Sequence, residues 1–330
     1  MPGAAWRIRA VFAGVLALLS LSACAPRLQP SGPFTGSASL AGDAFIARDG
    51  ARLPLRVWRP DGPPRVVVAA LHGFNDYSKA FEDPATAWAA RGIVTYAFDQ
   101  RGFGAGPEPG IWAGTEAMTD DITALVDVLQ RRHPGVPVFI AGDSMGGAVA
   151  LAALASRPDL KPAGALLIAP AVWGRAHLGR IKSAALWLTA HTVPWFRATA
   201  EGLEITPSDN TEMLRRLGRD PLVIKATRID AIWGLVNLMD SALDATTRIK
   251  VPVLLLYGTR DEVIPAAPTR IAIARLTKGG AARAAYYDSG YHMLLRDLGA
   301  ATPIADAAAW LRDPKAVLPS GADQRPASPP

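Results

Sequence analysis

The sequence predicts an α/β architecture: a mostly parallel sheet flanked by helices, with a helical cap inserted after the sixth strand. Three observations predict it. Near-continuous apolar runs of strand length alternate with helical periodicity, as expected of strands buried on both faces. One such run, Val138 to Ala141, passes through a glycine-rich turn straight into a small-residue helical run, Ala148 to Ala155. Between Pro170 and Arg248 the alternation stops, and helical segments rich in Trp and Met take over.

The elements justify themselves in order. Ala44–Ala47 and Leu53–Trp58 flank the turn Arg48-Asp49-Gly50, an antiparallel hairpin at a sheet edge, where Pro54 is tolerated. Arg65–Leu71 and Ile93–Phe98 are buried strands, with a helix over Lys79–Ala90 between them. Glu116–Arg132 places Ile122, Leu125, Val126 and Leu129 at helical spacing. Ala163–Ala169, Val251–Tyr257 and Ala284–Tyr287 complete the strands. The resulting division is core over 44–170, cap over 171–248, core again over 249–313. Residues 314–330 are polar, small and proline-rich, which predicts a disordered tail. Trp173, Trp187, Trp195, Trp233, Met213 and Met239 of the cap either line an apolar pocket or form the cap's own core.

Half of the 330 residues are hydrophobic and 19% are charged, so one large core is within reach. The net charge of +6 is scattered, without a Lys/Arg block, and argues against nucleic acid. A single cysteine excludes an intrachain disulfide and a cysteine metal cluster, and no pattern asks for a cofactor or a metal. That cysteine is Cys24. It follows arginines and a short apolar run in residues 1–23, the form of a secretory signal peptide. Leu21-Ser22-Ala23-Cys24 resembles a bacterial lipobox, which implies acylation of Cys24 and anchoring to a membrane of the cell envelope. Ala25 after the cysteine implies the periplasmic side of the outer membrane rather than the inner one. Residues 24–43 then read as lipidated cysteine and tether, with Pro26–Pro33 the tether proper.

Gly142-Asp143-Ser144-Met145-Gly146 is G-x-S-x-G between a strand and a helix, a turn that lifts a serine hydroxyl above the sheet edge. An ordinary glycine-rich turn is the plain alternative. A serine needs a base, and of five histidines His292 stands just after the last strand, where it can turn back over the sheet. A base needs a carboxylate to hold its tautomer. Asp261 ends the loop after Val253–Tyr257, with Glu262 its neighbouring competitor and loop capping its structural alternative. Backbone N–H groups of Met145 and Phe74 are the oxyanion donors, Phe74 lying in His72-Gly73-Phe74 after a strand. His72 reads as a holder of that loop. Asp99-Gln100-Arg101-Gly102-Phe103-Gly104 reads as loop architecture, tied through Asp99 and Arg101. Asp143 is expected to point away from the oxyanion.

Together Leu71-His72-Gly73-Phe74, Asp99–Gly104, Gly142–Gly147, Gly258-Thr259-Arg260-Asp261 and Gly290-Tyr291-His292 resemble the α/β-hydrolases of the monoacylglycerol lipase and lysophospholipase group, the serine aminopeptidase-like hydrolases. The resemblance spans about Phe45 to Leu311. It implies the α/β-hydrolase fold, the triad Ser144, Asp261, His292, and cofactor-free hydrolysis of a carboxylic ester of a lipid or small molecule. An amidase, peptidase or acyltransferase with the same triad, and a non-catalytic envelope lipoprotein, remain as alternatives. Oligomeric state is left open.

Overall fold

The computed structural model describes residues 25–199, 201–202, 204–278 and 282–324. Nine strands form one sheet: β1 (Ser39–Ala41), β2 (Ala44–Ile46), β3 (Arg52–Trp58), β4 (Val66–Leu71), β5 (Ile93–Phe98), β6 (Val138–Asp143), β7 (Gly164–Ile168), β10 (Val253–Gly258) and β11 (Ala282–Tyr287). Their spatial order is β1-β2-β3-β5-β4-β6-β7-β10-β11. From β5 to β11 every pairing is parallel, and β1–β2–β3 join antiparallel at one edge. The parallel strands are apolar throughout because helices cover both faces. Val66–Leu71 and Val253–Gly258 are buried at every position.

One face carries α2 (Thr115–Arg132), α3 (Met145–Ser156), α7 (Ile229–Ala245) and α8 (Ala266–Lys278). The other carries α1 (Glu82–Ala89) and α9 (Ala301–Arg312), where Trp88 and Trp310 are the largest buried side chains. Trp88 donates its indole N–H to the Ile304 carbonyl at 3.1 Å, so its one polar atom is satisfied in the core. In α2 Met118, Ile122, Leu125 and Leu129 are buried, with Arg131 and Arg132 in the last turn, where cations suit the helix dipole. α3 is apolar all round. Met145 to Ala153 are all buried, as required of a helix packed between the sheet, α2 and α7.

Several expectations need correction. The strand Ser39–Ala41 lies within the stretch read as tether, so the cap enters after the seventh strand of the chain and not the sixth. The cap is not purely helical. Besides α4 (Arg175–Leu178), α5 (Arg180–Thr192) and α6 (Thr211–Arg219), it holds the antiparallel pair β8 (Arg197–Thr199) and β9 (Ala226–Arg228), and α7, which the sequence reading places in the cap, packs on α3 in the main core. The tail is ordered over 314–324: Leu318 and Ala322 are 1% exposed, and Ser320 and Asp323 bond Asp306 and Arg283. Its composition concealed this because two small apolar anchors suffice. Part of the tether is docked as well. Gln29 is buried and donates to the carbonyls of Pro107 and Ile111. Residues 1–24, including the signal peptide and Cys24, and residues 325–330 lie outside the described residues.

Candidate active site

The site is built at the carboxyl edge of the parallel strands, where successive loops converge. β6 ends at Asp143 and α3 begins at Met145, so a single residue, Ser144, makes the turn. It does so at φ 50°, ψ −112°, a left-handed conformation that side chains rarely adopt. The turn survives because strand and helix approach so closely. A Cβ on Gly146 would sit 2.1 Å from the Leu71 carbonyl oxygen, and one on Gly142 would sit 2.5 Å from that of Gly146.

β10 and β11 bring the partners. Gly258 and Gly290 nearly touch: a Cβ on Gly258 would meet the Gly290 oxygen at 2.3 Å. That contact ties the loop after β10 to the loop after β11. As a result Asp261 Oδ2 lies 2.9 Å from His292 Nδ1, and His292 Nε2 lies 3.0 Å from Ser144 Oγ. The other Asp261 oxygen accepts from the N–H groups of Val263 and Ile264, each at 2.8 Å. Loop capping and histidine binding are thus done by one carboxylate, an oxygen each. Glu262 is turned outward and accepts from the Thr206 N–H.

Burial works against a charged His292 ring, but the charge and hydrogen bond of Asp261, with Asp143 behind them, raise its pKa above the ordinary value. An imidazole placed this way can take a proton from Ser144, and Asp261 stabilises the cation that results. Gly73 lies against the serine, its Cβ position 3.5 Å from Ser144 Cβ, so the Gly73-Phe74 backbone borders the reacting oxygen. Met145 opens α3, where the first N–H groups have no partner within the helix.

His72 holds the loop, as expected. Its Nδ1 bonds the Gly73 carbonyl at 2.8 Å and its Nε2 accepts from the Gln100 N–H at 2.9 Å, while burial lowers its pKa. That pattern fixes a neutral ring. The Asp99–Gly104 loop is tied differently from the expectation. Asp99 accepts from Ser78 and the Ala105 N–H, whereas Arg101 forks onto Asp49 and Asp121 at 2.6 to 2.8 Å. His133 is half-buried against the Tyr96 hydroxyl at 2.9 Å.

Sequence reasoning missed Arg296 and Asp76. The half-buried Arg296 bonds Asp76 through its guanidinium at 2.8 Å and stands 4.0 Å from Asp143. Asp143 thus faces a cation, which resolves its awkward place beside the nucleophile. Burial nevertheless pushes its pKa up to about 6, against the lowering effects of Arg296 and His292. Arg296 follows His292 by four residues with no motif around it, so only packing reveals it.

A cavity of about 630 Å³ runs beside Phe74. Its walls include Asn75 from the core and Ala198, Thr199, Ile224 and Ile232 from the cap. None of the cap tryptophans or methionines singled out from the sequence lines it. Met213 is buried, Met239 is buried in the main core, and Trp187 and Trp195 are exposed. Among the described residues no cluster of His, Cys, Asp and Glu could hold a metal ion, and no helix is long and apolar enough to cross a membrane.

Comparison with known proteins agrees with this architecture. Monoglyceride lipase of Homo sapiens is 28% identical over 265 residues, covering 77% of this chain and 84% of its own. Monoacylglycerol lipase of Mycolicibacterium smegmatis is 26% identical over 283 residues, covering 81% and 95%. Among solved structures, a Paleococcus ferrophilus monoacylglycerol lipase superposes with a TM-score of 0.68 at 24% identity, over 79% of this chain and 98% of that one. A Saccharomyces cerevisiae monoglyceride lipase, solved with a substrate analogue, gives 0.69 at 19% identity, over 85% and 98%. The family model of the serine aminopeptidases, S33, matches residues 62–299, a span that takes in the elbow, both partner loops and the whole cap. With serine, histidine and aspartate meeting at the edge of a doubly covered sheet, the chain belongs to that family, the serine hydrolases of α/β-hydrolase fold.

Proposed function

We propose that the protein is a membrane-tethered serine esterase that hydrolyses monoacyl esters, of the monoacylglycerol or lysophospholipid kind. The unbroken line of hydrogen bonds from Asp261 through His292 to Ser144 carries this reading. His292 Nε2 takes the hydroxyl proton as Ser144 Oγ attacks the ester carbonyl. The N–H groups of Phe74 and Met145 meet the oxyanion. The tetrahedral adduct collapses, and His292 gives its proton to the departing alcohol. Water, deprotonated by the same ring, then cleaves the acyl-enzyme and restores Ser144. The names of the human and mycobacterial relatives support a monoacylglycerol. The lipobox-like Leu21–Cys24 supports an acyl anchor on Cys24, and with it a place on the periplasmic side of the outer membrane.

Ser144→Ala is expected to lower kcat on a p-nitrophenyl acyl ester about a million-fold, the scale for a serine triad, and to abolish fluorophosphonate labelling. Comparable hydrolysis by the folded variant would sink the mechanism.

A further inference from the structure

Phe74, one of the two proposed oxyanion donors, is followed by a residue that the cap holds on two sides. Asn75 stands at φ 64°, in the left-handed region that asparagine tolerates better than most residues. Its carbonyl accepts from the Ile224 N–H at 3.0 Å, and its Nδ2 donates to Thr227 Oγ1 at 2.7 Å. Its Oδ1 is buried and has no hydrogen-bond partner among the described residues, so the bond to Thr227 is what orients the amide. Two residues on, Tyr77 donates its hydroxyl to Asp220 at 2.7 Å. Between the end of β4 at Leu71 and Ser78 the chain has no regular element of its own. These ties to the cap, with the bonds of His72, therefore fix where the Phe74 N–H stands.

The same cap segment walls the cavity beside Phe74. Ile224 and Thr227 line it, and so do Ala198 and Thr199 of β8. Thr227 is 8% exposed and stands opposite Ala198 in the antiparallel pair of β8 and β9. Phe74, Ala198, Ile224 and Ile232 give the walls apolar surface that suits an acyl chain. Whatever fills the cavity thus bears on β8 and β9, and β9 holds Asn75 through Thr227.

We propose that Asn75 is a positioning residue that couples filling of the cavity by the acyl chain to the Phe74 oxyanion donor. A long chain fills the cavity and holds β8 and β9 in place. Thr227 then holds the Asn75 amide, and the neighbouring N–H is fixed on the oxyanion. A short chain leaves the walls unsupported and the donor less well placed. Binding energy remote from the reacting carbonyl then appears in kcat and not only in KM, because the oxyanion forms only on the way to the tetrahedral adduct. The inference rests on the reading of the site as a serine esterase, and names a residue that makes it selective for acyl length.

The test is kcat and KM of the full chain on p-nitrophenyl esters from acetyl to octanoyl. In the wild type kcat is expected to rise about tenfold along the series, less than the roughly hundred-fold cost of losing a donor outright. Asn75→Gly keeps the left-handed backbone accessible and removes the amide. In that variant kcat is expected to stay level at the acetyl value, while KM still falls with chain length. Thr227→Val leaves the loop itself untouched and gives the same result. Thr227→Ser keeps the hydroxyl and retains the rise of the wild type. Fluorophosphonate labelling reports a folded chain with a reactive Ser144 in each. A wild type with level kcat overturns the coupling and leaves the esterase intact. So do Asn75 and Thr227→Val variants that keep the rise or lose one factor at every chain length, and a Thr227→Ser that behaves like Thr227→Val. A wild type that hydrolyses no ester of the series and resists the fluorophosphonate overturns the esterase reading, and the coupling with it.

Discussion

Asp143 occupies the residue position that most constrains the chemistry. A carboxylate next to the nucleophile opposes a developing oxyanion, yet here it faces Arg296, which in turn pairs with Asp76. Asp143 and Arg296 act on His292 with opposite signs, the carboxylate raising its pKa and the guanidinium lowering it. Asp143→Asn removes a negative charge that favours the imidazolium and leaves Arg296 less screened, and both changes lower the pKa of His292. Hydrolysis needs the neutral ring, so the acid limb of the kcat/KM profile is expected to move to lower pH. A limb that stays in place or moves to higher pH would show that Asp143 does not act on the base. Asp261 teaches a related lesson. Loop capping and catalysis were posed as competing roles for it, and a carboxylate with two oxygens performs both.

At the scale of elements, the site depends on how closely β6 and α3 pack onto the end of β4. Gly146→Ala drives a methyl into the Leu71 backbone, which cannot step aside without opening the sheet. We expect a loss of at least about 2 kcal/mol, read as a lower urea midpoint. Gly218→Ala in α6 is the contrast, since a Cβ there meets nothing within 4 Å. It is expected to stabilise by up to about 1 kcal/mol through helix propensity. Equal effects of the two would mean that the elbow is not close-packed. The cap is likewise wired to the loop that carries Phe74. Ile224 donates to the Asn75 carbonyl at 3.0 Å, Asn75 to Thr227 at 2.7 Å, and Tyr77 to Asp220 at 2.7 Å. A change in cap position therefore reaches the loop of Phe74, one of the two proposed oxyanion donors.

At the scale of the whole molecule, both ends of the described chain are sewn to the body. Leu318 is buried in the layer of α1 and α9, Ser320 bonds Asp306, and Asp323 bonds Arg283. A chain ending at 313 should be less stable than one ending at 324 by about 3 kcal/mol, from one buried leucine and two polar ties. Equal urea midpoints would restore the tail to disorder. Such attachments escape a reading by composition, because a proline-rich polar stretch needs only one or two apolar side chains to find a groove.

From the sequence alone came the alternating strand and helix pattern, the interruption of that pattern after Pro170, and the residue types at each loop end. These are local properties: apolar runs, turn glycines and spacing act within a few residues of one another. The tertiary structure alone decided that Arg296 and Asp76 stand behind Asp143, that Arg101 pairs with Asp49 and Asp121, and that residues 27–29 bond the loop before α2 and Asp230 of α7. Those partners are separated by tens to hundreds of positions, and nothing short of packing the sheet brings their charges and donors within hydrogen-bond reach.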